Sequence, residues 1–241
     1  MSAASADVIR WGRERARAGR WQGDSDGDVA ILNPVPNAPL PSAEFLHRCL
    51  ETLADRGYRR VVTGALSPLE QTGFLAAGFD VAERLHLLGI DLAVELPTGP
   101  PGYPLRRVGR RRRGDVLSVD QAAFPLFWQF DRAGLADALR ATPTVRFRAA
   151  IEPSGAIAGY AISGRSGPRG FVQRLAVHPQ QQRAGTGRRL LLDGLRWMQR
   201  RGVARAVVNT QVGNEAALSL YLQTGFQEEP VGLSVLSAGL R

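Results

Sequence analysis

The stretch Val177-His178-Pro179-Gln180-Gln181-Gln182-Arg183-Ala184-Gly185-Thr186-Gly187-Arg188 begins where an apolar strand over 171–177 stops. It ends inside a helix predicted from about 185 to 201. Two glycines stand where that helix begins. Glycine lets the backbone approach a ligand closely, and first-turn amides have no partner within the helix. Those amides, with the positive end of the helix dipole, suit a pyrophosphate. The dinucleotide fingerprint G-x-G-x-x-G fails, because Leu190 stands at the third glycine position.

Outward from this stretch, Leu191, Leu195 and Met198 give the helix one buried face. A strand over 204–210, a helix over 214–224 capped by Asn214 and a last strand over 231–236 follow. Upstream, strands over 145–151 and 156–163 form a hairpin around Pro153-Ser154-Gly155. Helices over 114–123 and 131–141 and a weak strand over 105–108 precede it. The break Pro97-Thr98-Gly99-Pro100-Pro101-Gly102 marks the expected domain boundary, giving domains 1–97 and 98–241. In the first domain, 33–41 is too rich in proline for a helix or a central strand. Ser42 opens a helix with Phe45, Leu46, Cys49, Leu50 and Leu53 on one face, and Gly57 stops it. A strand over 59–63, a helix over 67–77 and a strand over 79–94 complete that domain.

The two domains repeat. Arg56-Gly57, Val61-Val62 and Gly78-Phe79 recur as Arg201-Gly202, Val207-Val208 and Gly225-Phe226, at offsets of 145, 146 and 147 residues. Helix, apolar strand, helix and Gly-Phe turn follow in the same order each time, which points to duplication.

Gln182-x-x-Gly185-x-Gly187, five residues after the strand-ending Val177, resembles the acetyl-CoA signature of the GNAT N-acetyltransferases. Asn214-Glu215-Ala216-Ala217, leading through Leu220-Tyr221 to Gly225-Phe226, resembles the second block of that family. The spacing is similar to the branch that acetylates the N-terminus of ribosomal proteins, and the resemblance covers residues 104–237. It implies a mixed α/β GNAT fold, a central mixed β-sheet flanked by helices, with a degenerate partial GNAT-like N-terminal domain. It implies an acyltransferase with acetyl-CoA as donor. The acceptor would be a primary amine, on a peptide or protein N-terminus or a small molecule, attacking directly in a ternary complex. Leu175, Ala176 and Val177 would pair with the pantetheine arm like an added strand, and the Val177 amide would stabilise the oxyanion. Gln182 belongs to the signature, and the amides of Arg183, Ala184, Gly185, Thr186, Gly187 and Arg188 would hold the pyrophosphate. Asn214 would hydrogen-bond the pantetheine or phosphate region, and Tyr221 would protonate the departing thiolate. On the residues alone, Tyr221 also reads as a core aromatic beside Leu218 and Leu222.

Two departures stand out. The ribosomal-protein branch carries a glutamate, as general base, where this chain has Asn209; other members carry one where it has Phe171, with Gln173 as the nearest polar residue. A water relay on Asn209 or Gln173 is the expected substitute, with catalysis mainly by positioning. In the first domain Phe74 stands where the repeat places Tyr221, Ser67 replaces Asn214, and the proline-rich segment replaces the glycine signature. That copy, expected to bind no acetyl-CoA, resembles the degenerate half of tandem GNAT enzymes such as mycothiol synthase.

Composition sets the remaining bounds. Apolar residues make up 44% of 241 and charged residues 22%, enough for a sizeable core and against overall disorder. No run approaches a membrane span, and the first thirty residues lack the apolar core of a secretory signal, so the expected location is the cytoplasm. Cys49 is the one cysteine, read as core. The acidic run Asp24-Ser25-Asp26-Gly27-Asp28 lacks the glycine and glutamate of a calcium loop, and no metal is expected. All 31 basic residues are arginine and the net charge is +9, which attracts polyanions. The clusters at 10–20 and 106–113 read as solvated faces with little aromatic interleaving, and no nucleic-acid partner is expected. Between 124 and 131 the chain is dense in aromatics. Helix packing is one reading there; the GNAT resemblance implies the other, an acceptor groove lined by Phe127, Trp128 and Asp131. Two alternatives to catalysis remain at this level: a non-catalytic acyl-CoA-binding regulatory module, and an RNA- or ribosome-associated basic protein.

Overall fold

The computed structural model describes residues 7–24 and 26–240. In chain order the elements begin with β1 (Asp7–Trp11), β2 (Glu14–Arg20), β3 (Val29–Pro34), α1 (Ala43–Asp55), β4 (Arg60–Val62) and α2 (Pro68–Ala76). Then come β5 (Asp80–Asp91), β6 (Leu105–Arg107), α3 (Arg113–Ala123), α4 (Arg132–Arg140), β7 (Thr144–Ile151) and β8 (Ile157–Ser166). The chain closes with β9 (Arg169–Val177), α5 (Thr186–Gln199), β10 (Arg205–Gln211), α6 (Glu215–Thr224), β11 (Gln227–Glu228) and β12 (Leu233–Gly239).

Two compact units form. The first takes the chain up to Leu87, with Gln211–Gly213 and the segment from Pro230 on; the second takes Leu88–Thr210 and Asn214–Glu229. They divide inside β5, upstream of the proline-glycine break at 97–102, with the strand up to Leu87 in the first and from Leu88 on in the second.

In the first unit the strand order is β1-β2-β3-β4-β12-β5, with β3 and β4 parallel. Ser42 caps α1 by accepting from the Phe45 amide at 3.2 Å, and Phe45, Leu46, Cys49 and Leu53 are buried as the helical spacing predicts. Each fully buried leucine or phenylalanine contributes on the order of 2 kcal/mol through burial. The hairpin β1–β2 was not anticipated, although Arg15-Ala16-Arg17-Ala18 alternates with period 2. Ala16 and Ala18 are buried while Arg15 and Arg17 stay outside, so these two members of the 10–20 cluster lie on the wet face of β2, with Arg10 on β1 and Arg13 in the turn before β2. Residues 33–34 also end in a strand, pairing with β2 but not with β4, which suits an edge proline.

In the second unit the last residues of β5 lead the order β5-β10-β9-β8-β7-β6, with β9 and β10 parallel and β11 added on β5. The first eight residues of β8 are all buried, as a strand covered on both faces requires. One face carries Leu191, Leu195, Met198, Tyr221 and Phe226 from α5, α6 and the turn after α6. The other carries Val116, Val119 and Leu135 from α3 and α4. No helix of the described residues is long and apolar enough to cross a membrane.

The repeat is present in the hydrogen bonds. Gly78 and Gly225 both take positive φ, +85° and +103°, and end their helices in the same way. The Phe79 amide donates to the Phe74 carbonyl at 3.1 Å, and the Phe226 amide to the Tyr221 carbonyl at 3.1 Å. Phe74 and Phe79 pack edge-on with ring centres 5.1 Å apart, and Tyr221 and Phe226 pack at 5.6 Å with their rings tilted by 58°.

Burial, with a smaller push from Glu14, raises the Cys49 thiol from the ordinary 9.0 to about 12. A raised pKa leaves stability intact below the unfolded value and costs stability as pH climbs from about 9 to about 12, where only the unfolded chain ionises. Native protein should therefore react with a maleimide at least about 100-fold more slowly than protein in guanidinium, since labelling needs opening of the core. Comparable rates would place Cys49 outside the core.

Candidate active site

β9 and β10 pair over only three positions, Arg169↔Arg205, Gly170↔Ala206 and Phe171↔Val207. A bulge in the β8 register then passes Gln173 over, with Ser163 opposite Val172 and Ile162 opposite Arg174. A bulge bends its strand and raises its twist, so β9 turns away from β10. From Val172 to Val177 on one arm and Val208 to Gln211 on the other, no ladder joins the two strands. The result is a fork whose inner edges can accept an extended ligand.

At the end of β9 the chain turns through Pro179–Gln181, and the Gln182 side chain donates back to the Val177 carbonyl at 3.3 Å. Arg183 and Gly185 take positive φ, +63° and +78°. Gly185 is required twice over: its φ disfavours any side chain, and a Cβ there would lie 2.9 Å from Pro100 Cγ. It is thus Pro100 that comes close at Gly185. Gly187 is less constrained: a Cβ there would stand 3.4 Å from Leu220 and 3.5 Å from Val177, ordinary contact distances. No side chain caps α5, and the amides from Arg183 to Arg188 donate to no backbone carbonyl among the described residues. Six unsatisfied donors at a helix start fit a pyrophosphate.

Tyr221 is 5% exposed, and its hydroxyl bonds to no described residue. Burial raises its phenol far above the ordinary range, and the nearby positive charge of Arg174 pulls the other way. The neutral phenol is therefore the resting form, ready to donate. Asn209 is exposed on β10. Asn214 caps α6, accepting from the Ala217 amide at 3.2 Å.

The comparisons with known proteins meet this geometry. Residues 115–226 match the family model described as acetyltransferase (GNAT) family. The segment 115–226 is a GNAT acetyltransferase domain by that match. It is an acyltransferase, and acetyl-CoA is the acyl donor of that family. The chain is 29% identical over 233 residues to the mycothiol acetyltransferase of Thermobispora bispora, covering 86% of this chain and 78% of that one. Over 81 residues it is 33% identical to the [ribosomal protein bS18]-alanine N-acetyltransferase of Escherichia coli K12, 34% of this chain and 55% of that one. Among solved structures, a tandem GNAT protein from the clavulanic acid biosynthesis pathway is similar in fold, with a TM-score of 0.72 at 15% identity, over 97% of this chain and 82% of that one.

Beneath the GNAT fork lies a polar anchor that the sequence reading missed. Asp120 is fully buried and accepts both forks of Arg174 at 2.8 Å, the Phe130 amide at 2.7 Å and the Tyr160 hydroxyl. Arg174 also donates to the Trp128 carbonyl at 2.7 Å and lies between the rings of Phe124 and Phe130, at 3.6 and 4.0 Å from their centres. The aromatic segment is thus fastened to β9. Phe127 and Trp128 pack edge-on at 5.0 Å, half-buried, whereas Asp131 is exposed and caps α4 through the Gly134 amide at 2.7 Å. One signal was available: Asp120 sits on the apolar stripe of α3 with Val116 and Val119. With four donors on its two oxygens, Asp120 is no general base. Gln173 donates to Thr142 Oγ1 at 3.3 Å and keeps a buried Oε1 without a partner among the described residues.

The first unit repeats the fork and closes it. β3 and β4 also pair in parallel over three positions, Val29↔Arg60 to Ile31↔Val62. Beyond them Asn33 Oδ1 accepts from the Gly64 amide at 2.6 Å, tying the arms together. At the start of α1, Glu14 accepts from both the amide and the hydroxyl of Ser42, so a carboxylate occupies the helix N-terminus. In the acidic loop, Ser25 lies outside the described residues, and Asp24 accepts from the Val29 amide at 2.9 Å.

Removing one partner of a buried ion pair strands the other. Asp120→Ala should lower the unfolding free energy by about 3–5 kcal/mol in urea titration. Asp120→Asn, which keeps acceptors for Arg174 and Phe130, should cost less. Equal losses from the two would deny the carboxylate charge a role in the anchor.

Proposed function

We propose that this chain transfers the acetyl group of acetyl-CoA to a primary amine by direct attack in a ternary complex. The observation that carries it is the open β9–β10 fork ending on six unsatisfied amides at α5. Residues 98–241 act as the catalytic domain, and 1–97 as a degenerate copy without a donor site. Leu175, Ala176 and Val177 pair with the pantetheine arm, Arg183 to Arg188 hold the pyrophosphate, and Asn214 steadies the region between them.

The neutral amine nitrogen bonds to the thioester carbon, and the Val177 amide donates to the oxyanion that forms. Collapse breaks the carbon–sulfur bond, Tyr221 gives its proton to the thiolate, and the ammonium proton passes through water to restore the phenol. No carboxylate stands at Asn209 to take that proton. An α-amine with a pKa near ~8 supplies a useful neutral fraction at pH 7.5 unaided. The acceptor is an amine on a peptide or protein N-terminus or on a small molecule. The relatives named above act on one of each kind, mycothiol chemistry and a ribosomal protein. The missing carboxylate also favours a second reading, a non-catalytic acyl-CoA-binding module.

Calorimetry should give one acetyl-CoA per chain, and Gly185→Glu should abolish binding by straining the loop against Pro100 and adding a negative charge at the helix start. A stoichiometry of two would restore a donor site to the first unit. With a panel of amines and peptides, thiol release should identify an acceptor; silence across the panel would favour the binding module. Against that acceptor, Tyr221→Phe should lower turnover by about 10- to 1000-fold with donor affinity nearly intact. Full turnover would remove Tyr221 from the mechanism. Asn209→Glu should raise activity below about pH 7, where most amine is protonated; an unchanged pH profile would show that proton removal does not limit the rate.

A further inference from the structure

We propose that the flank of α5 facing β7 and β6 binds the phosphodiester backbone of a nucleic acid. This goes beyond acetyl transfer and uses arginines scattered through the sequence, of which only Arg107 belongs to either cluster. The register sets Arg107 opposite Arg148, and Arg165 opposite Thr144. Strand alternation then turns Arg107, Arg146, Arg148 and Arg165 to one face, and Arg146 reaches Asp193 on α5 at 2.7 and 2.8 Å. Like charges placed directly opposite are destabilising, which an anion between them relieves. Arg148 registers that crowding: burial and Arg146 lower its pKa against the pull of Asp193, and Arg107 adds to the lowering.

From α5 the same flank receives Arg189, Arg196 and Arg200, which line a cavity of about 420 Å³ with Asp193. Arg200 also lines a second cavity, of about 620 Å³, with Arg146, Arg165, Arg201 and Trp197. Asp193 is the sole carboxylate among the residues lining either cavity, and Arg146 already occupies both its oxygens. Arg189 and Arg196 donate to the carbonyls of Pro100 and Pro97, which fix their direction without cancelling charge. Arg165 Nε is buried without a partner among the described residues.

Length selects the ligand. Arg189 to Arg200 spans about 17 Å of helix, too long for one phosphate and suited to a row of them. Trp197 is only 7% exposed, so no ring is offered for a base to stack on. Contacts of this kind position a backbone and read no sequence.

Fluorescence anisotropy with a 20-base-pair RNA duplex and a DNA duplex of the same sequence tests this over a salt series. Dissociation constants of about 10⁻⁶ to 10⁻⁴ M are expected near physiological salt, weakening steeply as salt rises. The triple variant Arg165→Gln, Arg200→Gln, Arg201→Gln should weaken binding at low salt by more than about tenfold and reduce the log–log salt slope by about 2–3. A control triple, Arg106→Gln, Arg110→Gln, Arg111→Gln, removes the same charge elsewhere and should change affinity less than about threefold. If the groove triple does not fold, the exposed single change Arg200→Gln gives the same comparison with a slope change of about 1. Binding of both duplexes or of RNA alone supports the proposal. Equal losses in both triples, unchanged affinity in the groove triple, or polyglutamate binding as tightly through the same arginines would overturn it.

Discussion

The second unit depends on a ladder that stops early. β9 and β10 run in parallel for three residue pairs and then part, because the bulge at Gln173 turns β9 aside while β8 stays with it. A sheet normally fills every backbone donor with a neighbouring strand. Here the deficit is placed where an extended ligand can fill it, and the loop that ends β9 leads directly into the uncapped start of α5. The β9 arm of the fork, the loop and the helix start are consecutive in the chain, so 169–188 holds the open backbone groups of that arm and of the helix start, and β10 supplies the other arm.

The side chains that finish the site come from farther away, and this governs what a sequence reader sees. The helices, the hairpin, the loop and the repeat were legible because each rests on local periodicity, caps and glycines. Asn214 and Ser42 fell at helix caps because capping is a local hydrogen bond. The Asp120–Arg174 anchor was not legible, since its members lie 54 residues apart and only the packing of α3 on β9 joins them. The hairpin β1–β2 was masked by charge: arginines suggested a solvated segment, though their alternation with alanine is a strand pattern. The boundary at 97–102 is a break in chain composition, whereas compactness follows β5, which ignores it.

The anchor also divides labour among the charged groups around the fork. Arg174 holds the 124–130 segment through two rings and a carbonyl, and its charge falls within reach of Tyr221. One guanidinium thus sets both the wall beside the fork and the electrostatics of the buried phenol. Burial of Tyr221 keeps the proton on oxygen, and the charge of Arg174 pulls in the opposite direction.

Glu14 gives the first unit a different history. Its carboxylate rests on Ser42 at the head of α1, the place where the second unit leaves amides open. The degenerate copy is therefore internally liganded, with an anion tethered at an effective concentration that no diffusing phosphate matches. A free phosphate at this helix start would have to displace the Glu14 carboxylate. Deleting Glu14 alone costs α1 its partner before any nucleotide arrives, and restoring the glycine loop alone leaves a negative charge to repel one. Two changes would have to be made together before the head of α1 could take a free anion.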